Sequence, residues 1–103
     1  MFGDLFSKAE EQQKAMRQKL ADIMVEAEAG DGAIYVKANA NRQILNIRFN
    51  KELLDWDDQE QIEDLLLVAV NRAIELAGEK EAEASQALLK DMLPPGLSNM
   101  FGM

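Results

Sequence analysis

The most distinctive pattern in the chain is a run of six apolar residues, Leu65 to Val70, inside a longer segment with helical spacing. Apolar residues recur at intervals of three and four well beyond the run, which favours a helix over a short buried strand. A helix that is apolar all round is buried on more than one side. We therefore predict that it packs on the protein's own sheet and on a second copy of the chain. The predicted dimer interface comprises Leu65, Leu66, Leu67, Val70 and Ile74.

The start of the chain has the periodicity of another helix, which we place at about residues 4–24. Its apolar residues fall on one side at intervals of three and four. They are Phe2, Leu5, Phe6, Ala9, Met16, Leu20 and Ile23. The polar pair Gln12-Gln13 weakens this stripe midway, as in a helix that projects or pairs loosely.

Two short segments of alternating polarity, residues 25–29 and 34–38, predict strands that are buried on one face. Between them, Asp31-Gly32 is a preferred pair for a two-residue type I′ turn. This turn places the apolar residues of both strands on one face, whereas a three-residue loop would mix the faces. The resulting register pairs Ala29 with Ile34, Ala27 with Val36, Val25 with Ala38, Glu28 with Tyr35 and Glu26 with Lys37.

A third strand is predicted at residues 44–49, after a turn near residues 39–42. The alternation of apolar and polar residues towards its end predicts one buried face. Ile44 and Leu45 cannot both face inward without a β-bulge, so the sequence leaves the register of this strand open.

The acidic segment Asp55–Glu60 predicts the start of the long helix. Carboxylates there cap free amide groups of the first turn and interact favourably with the helix dipole. The segment lacks the twelve-residue loop and central glycine of a calcium site, so we interpret these acids as caps rather than as metal ligands. The helix is predicted to run to about Met92, with a weak point at Gly78, and to end before Pro94-Pro95, since proline cannot continue a helix.

Charge divides the chain into two unlike halves. Residues 1–51 carry eight Lys and Arg against seven Asp and Glu, whereas residues 52–103 carry three against twelve. An anionic partner would therefore be bound by the first half and kept away from the second. The length predicts a single domain, over residues 1–92, and we interpret residues 93–103 as a flexible C-terminal tail.

The side chains offer little chemistry. The chain has neither cysteine nor histidine, which removes disulfides, thiolate nucleophiles, the commonest general base and the commonest metal ligand. The sequence contains no glycine-rich phosphate loop and no apolar stretch of membrane-spanning length. We therefore expect a cytoplasmic protein that is not an enzyme, uses no cofactor or metal, and has no small-molecule substrate or membrane partner.

Several short segments follow one another in a recognisable order: Met1-Phe2-Gly3, Gln12-Gln13-Lys14, Gly30-Asp31-Gly32-Ala33, Leu53-Leu54, Glu63-Asp64-Leu65-Leu66 and Leu93-Pro94-Pro95-Gly96-Leu97. This ordered set spans nearly the whole chain and resembles the YbaB/EbfC family of bacterial nucleoid-associated proteins. The resemblance implies an α+β homodimer in which each chain has an N-terminal helix, a three-stranded antiparallel meander and a long C-terminal helix. It also implies binding to duplex DNA in the nucleoid, with little sequence preference. The second turn, usually glycine-rich in this family, reads Ala40-Asn41-Arg42 here.

Affinity for DNA comes mainly from lysine and arginine side chains that neutralise phosphates. Arg42 and Arg48 have no obvious local acid and are therefore favoured, whereas Lys37 faces Glu26 and can form an ordinary cross-strand pair. The predicted DNA-binding residues are Lys14, Arg17, Lys37, Arg42, Arg48 and Lys51.

A second interpretation stays open at this point. In it, the acidic long helix docks on a basic partner protein or mimics the charge of DNA. The basic residues of the first half would then only balance charge and solvate the surface.

Overall fold

The computed structural model describes residues 2–92, in which two helices flank a small sheet. The elements are α1 (Phe2–Ala21), β1 (Met24–Ala29), β2 (Ile34–Asn39), β3 (Ile44–Phe49), a 3-10 turn (Lys51–Leu53) and α2 (Gln59–Met92). The sheet is an antiparallel meander in the order β1-β2-β3. This confirms the predicted α+β fold, although α1 begins and ends slightly earlier than predicted. The tail predicted at residues 93–103 lies outside the described residues.

The β1–β2 hairpin has the predicted register, with Ala29 opposite Ile34 and the same pairing along both strands. The two central turn residues, Asp31 and Gly32, both have positive φ, at 52° and 90°. Two positive φ angles define a type I′ turn, whose twist matches that of the flanking strands. The short-range pattern was therefore sufficient to place this hairpin.

β3 joins β2 with a β-bulge, which resolves the register that the sequence left open. Lys37 lies opposite Asn46, but the next residue, Ala38, lies opposite Ile44. Leu45 is therefore the extra residue on β3. The bulge allows the strand to keep Ile44 on the side of the sheet that faces α2.

α2 packs on one face of the sheet through small side chains. Ala69, Ala73 and Ala77 recur at every fourth position and are fully buried. The sheet contributes residues from β1 and β2 to this core: Val25, Ala27, Ala29, Ile34, Val36 and Ala38. The helix lies over β1 and β2 and barely reaches β3. The inner face of β3 is consequently left largely uncovered by the chain's own helix.

α1 projects from this core, as its weak stripe predicted. Leu20, in its last turn, is its buried residue. It packs with half-buried Met16 against Ala84 of α2. The first turns are open to solvent, since the exposed fractions of Phe2, Leu5 and Phe6 are 77%, 66% and 68%. The described chain is accordingly elongated, with extents of 62 × 34 × 18 Å.

α2 begins with an acidic cap, as predicted. The Asp58 carboxylate accepts a hydrogen bond from the Gln61 main-chain N–H at 3.1 Å, which satisfies one of the free donors of the first turn. The helix continues to Met92 without a break at Gly78. The predicted weak point is therefore an ordinary part of the helix.

Candidate nucleic-acid interface

Three of the predicted DNA-binding residues lie together on the sheet face opposite α2. The β2–β3 register places Arg48 opposite Tyr35, and the Arg48 guanidinium lies over the Tyr35 ring at 4.8 Å from its centroid. Lys37 is two residues further along β2 and shares this face. Lys51 lines the same shallow groove as Tyr35 and Arg48. We call Lys37, Arg48, Lys51 and Tyr35 the sheet patch.

Tyr35 is not among the binding residues predicted from the sequence. A cation–π contact attracts a guanidinium to the face of the ring and restricts its motion. The tyrosine is itself positioned by the hairpin turn, because a Cβ at Gly32 would lie only 3.1 Å from the Tyr35 hydroxyl oxygen. Tyr35 lies beside Arg48 because of the register of β3, which the sequence alone did not determine.

The charges on this face change sign across the sheet. Glu26 on β1 lies opposite Lys37 on β2, which lies opposite Asn46 on β3. Glu28 extends the acidic row on β1. An anionic ligand would therefore be bound over β2 and β3, away from β1.

The predicted helix residues, Lys14 and Arg17, are exposed on α1 and lie outside the sheet patch. The Asn41 side-chain amide donates a hydrogen bond to the main-chain carbonyl of Arg17 at 2.8 Å. This contact ties the last turns of α1 to the β2–β3 loop. The loop thus fixes where the basic residues of α1 stand relative to the sheet.

Arg42 points towards α2 rather than towards the sheet patch. Its Nη1 lies 2.7 Å from Glu81 Oε2, and its Nη2 would lie 3.2 Å from a Cβ placed on Gly78. Arg42 has no acidic neighbour close in sequence, and its partner comes from another element. Glu81 is distant in sequence, and only packing of α2 beside the loop brings the two together. Any phosphate contact of Arg42 would compete with this ion pair.

The two sides of α2 face different edges of the sheet. Arg72 donates a hydrogen bond to the main-chain carbonyl of Glu28 on β1 at 2.8 Å, whereas Glu81 reaches the β2–β3 loop from the other side. Val70 and Ile74 share the side of Glu81, given about 100° of rotation per residue. They therefore face β3.

This side of α2 and the inner face of β3 form an exposed apolar surface. The exposed fractions of Leu67, Ile44 and Ile47 are 61%, 38% and 40%. Val70 and Ile74 are half-buried beside them. We call these five residues the β3-side apolar face. Among residues 2–92, no strand pairs with the outer edge of β3, so its free backbone groups border this face.

The other two residues of the predicted dimer interface are used partly by the chain's own core. Leu65 packs against the hairpin turn, since a Cβ on Gly30 would lie 3.1 Å from its side chain. Leu66 is half-buried against the core between α2 and the sheet. The structure therefore divides the apolar run into a part that faces inward and a part, around Leu67, that faces outward.

Other kinds of site find no support in the part of the chain that the structure describes. No cluster of three potential metal ligands occurs among residues 2–92. Neither α1 nor α2 has, over its described residues, the length and hydropathy needed to cross a bilayer. The basic residues and the β3-side apolar face are surface features that call for a functional explanation.

Comparison with known proteins identifies the fold and the family. The sequence profile of the YbaB/EbfC DNA-binding family matches residues 1–92. The chain belongs to this family. A nucleoid-associated protein of Thermodesulfovibrio yellowstonii is 36% identical to this YbaB/EbfC chain, covering 99% of it and 95% of the relative. One from Chloroflexus aurantiacus is 42% identical over 75% of this chain and 77% of the relative.

A solved structure shares the YbaB/EbfC fold described here. The crystal structure of an uncharacterised protein from Helicobacter pylori matches with a TM-score of 0.70. The two sequences are 19% identical, and the match covers 85% of this chain and 92% of that chain. At this identity, the similarity concerns the fold.

Proposed function

We propose that the protein works as a homodimer that binds duplex DNA with little sequence preference in the nucleoid, within the cytoplasm. The observation that carries the proposal is the sheet patch, where Arg48 and Lys51 border Tyr35 on the face opposite the acidic helix. Membership of a DNA-binding family and relatives named as nucleoid-associated proteins support it.

The dimer is proposed to form through the β3-side apolar face. Leu67 is 61% exposed on the side of α2 that faces β3, and β3 is an edge strand of the described sheet. A contiguous apolar surface beside an unpaired strand edge is a liability unless another chain covers it. A second copy related by twofold symmetry would offer the same surface and bury both at once.

The DNA footprint is proposed to combine the basic residues of the first half of the chain. Lysine and arginine contacts to phosphates provide affinity and position the protein, but carry no direct sequence information. In a dimer, each basic group occurs twice, so two patches act along one duplex. α2 carries eight acidic and three basic residues, and is proposed to face away from the phosphates.

A titration of random-sequence duplex at 50 and 200 mM salt tests the DNA proposal. We expect binding at low salt that falls by more than tenfold at the higher salt, because released counterions drive phosphate binding. The paired changes Lys14→Glu with Arg17→Glu, and Lys37→Glu with Arg48→Glu, should each weaken binding by about tenfold or more at low salt, since each dimer loses four phosphate-facing charges.

The matched control is the pair Lys80→Glu with Lys90→Glu on α2, which changes net charge by the same amount. It should weaken binding far less than the other pairs. Equal losses in all three variants would indicate that net charge alone matters, not the proposed footprint. Absence of binding at 50 mM salt would contradict DNA binding and favour the acidic protein-docking alternative.

Two adjacent residues of α2, about 100° apart and directed towards the β3 and β1 sides of the helix respectively, test the dimer. Leu67→Asp places a charge on the β3-side apolar face, whereas Val68→Asp places the same charge on the other side, where Val68 is 40% exposed. We expect the wild type and the Val68 variant to sediment as dimers and the folded Leu67 variant as a monomer. A wild-type monomer, or a Leu67 variant that stays dimeric, would contradict this interface.

A further inference from the structure

The apolar side of α1 is used at one end of the helix and left open at the other. Leu20 and Met16 pack against the C-terminal half of α2. The same side continues towards the N-terminus, given about 100° per residue. There it presents the α1 stripe, which consists of Phe2, Leu5, Phe6 and Ala9 and is exposed along its length.

The α1 stripe is exposed because α2 ends before it reaches these residues. Leu20 packs near Ala84, and Leu88 shares a groove with Gln12 and Met16. The contacting residues have lower numbers in α1 as their numbers rise in α2, so the two helices run antiparallel. α2 continues for only four residues beyond Leu88, to Met92. The stripe therefore begins where α2 stops.

We propose that residues 93–103 of the same chain pack along the α1 stripe and cover it. These eleven residues follow Met92 directly, and none of them carries a charged side chain. Their large apolar side chains match the apolar character of the stripe and are Leu93, Leu97, Met100, Phe101 and Met103. We take the segment as extended in this proposal, because proline cannot continue a helix and disfavours the helical conformation of the residue before it.

The length of the segment fits the distance to be covered. Leu88 lies level with Gln12, and Met92 is four residues further along the antiparallel α2, so α2 ends about level with Lys8. From there Phe2 lies about 9 Å further along α1, a distance that roughly three extended residues span. Leu97, the fifth residue after Met92, can therefore reach the first turns of α1. Attachment to α2 also gives the segment a high effective concentration at the stripe.

Disulfide trapping in the full chain tests the proposal, because the natural sequence has no cysteine. The pair Leu5→Cys with Leu97→Cys joins the stripe to the segment. The control pair, Asp4→Cys with Leu97→Cys, uses the neighbouring residue, which lies about 100° from Leu5 and outside the α1 stripe. We expect the Leu5 pair to form an intrachain disulfide at least tenfold faster than the control pair in the same redox buffer.

Two outcomes of the trapping experiment would overturn the proposal. Equal rates for the two pairs would mean that the segment does not choose the apolar side of α1. A product that migrates on a non-reducing gel as a covalent dimer would mean that the stripe is covered by another copy's tail.

Hydrogen exchange provides a second, independent measurement. Leu97→Asp removes a proposed apolar contact, whereas Ser98→Asp adds the same charge at the next residue. We expect the amides of the first turns of α1 to exchange several-fold faster in the Leu97 variant than in the wild type, and to be little changed in the Ser98 variant. Indistinguishable exchange in the two variants would contradict the proposal even if both fold normally.

Discussion

Arg42 and Glu81 form an ion pair, 2.7 Å between Nη1 and Oε2, that joins the β2–β3 loop to the side of α2. The same loop is tied to α1 through Asn41 and the Arg17 carbonyl. One short turn therefore sets the positions of both helices. The pair is partly exposed, so its direct contribution to stability is small, on the order of 0–1 kcal/mol, and its effect is mainly to orient the loop.

Gly78 should be coupled to Arg42 in stability measurements. Gly78→Ala improves helix propensity by roughly 1 kcal/mol, but its Cβ would crowd the Arg42 guanidinium. We expect a gain of about 1 kcal/mol in the free energy of unfolding when Arg42 is already alanine, and a smaller gain in the wild type. Urea denaturation at fixed protein concentration measures both, and equal gains would contradict the coupling.

The main chain at Arg42 is strained, because its φ is +63° and side chains other than glycine disfavour this region. Arg42→Gly and Arg42→Ala both remove the ion pair, but only glycine relieves the strain. We expect the glycine variant to be more stable than the alanine variant by about 1 kcal/mol, measured by thermal or urea unfolding. An alanine variant of equal or greater stability would show that the turn stores no strain.

The Asp58 cap predicts a local effect at the start of α2. Asp58→Ala removes the acceptor for the Gln61 amide and should lower the free energy of unfolding by about 1 kcal/mol. Asp57→Ala is the control, since the contact of Asp57 with Asp55 uses its main-chain N–H. That variant should stay within about 0.5 kcal/mol of the wild type. Equal losses of stability in the two variants would mean that negative charge in general, and not the Asp58 cap, stabilises the N-terminus of α2.

The close approach of α2 to the sheet predicts that Ala73 cannot be enlarged. Ala73→Leu adds three carbons to a fully buried position and should destabilise by roughly 1–3 kcal/mol, because a packed core cannot accommodate them without displacement. Ala82→Leu makes the same change at an exposed position of the same helix. Its effect on urea unfolding should be slight, and a comparable loss there would contradict the packing argument.

Much of the fold could be predicted because its determinants are local. Alternation along β1 and β2, together with the torsional preferences of Asp31-Gly32, specified the hairpin register that the structure has. The acidic cap of α2 follows the same logic, since a carboxylate acts within one turn of its own position. Where neighbours in sequence are also neighbours in space, the residue types carry the information.

The candidate site was less predictable, because it depends on contacts between distant segments. The bulge at Leu45 sets the register in which Arg48 lies against Tyr35. The packing of α2 beside the β2–β3 loop brings Arg42 to Glu81. The apolar run from Leu65 to Val70 indicated burial on several sides. Which of its side chains point to the chain's own core and which to solvent depended on where α2 crosses the sheet.

Periodicity and short-range sterics were therefore enough to specify the elements, their order and the first hairpin. The family resemblance came separately, from an ordered set of short motifs. The tertiary structure alone decided the partners of Arg42 and Arg48 and the exposed side of the apolar run. A charged side chain can reach any of several neighbours, and the three-dimensional path of the chain selects among them.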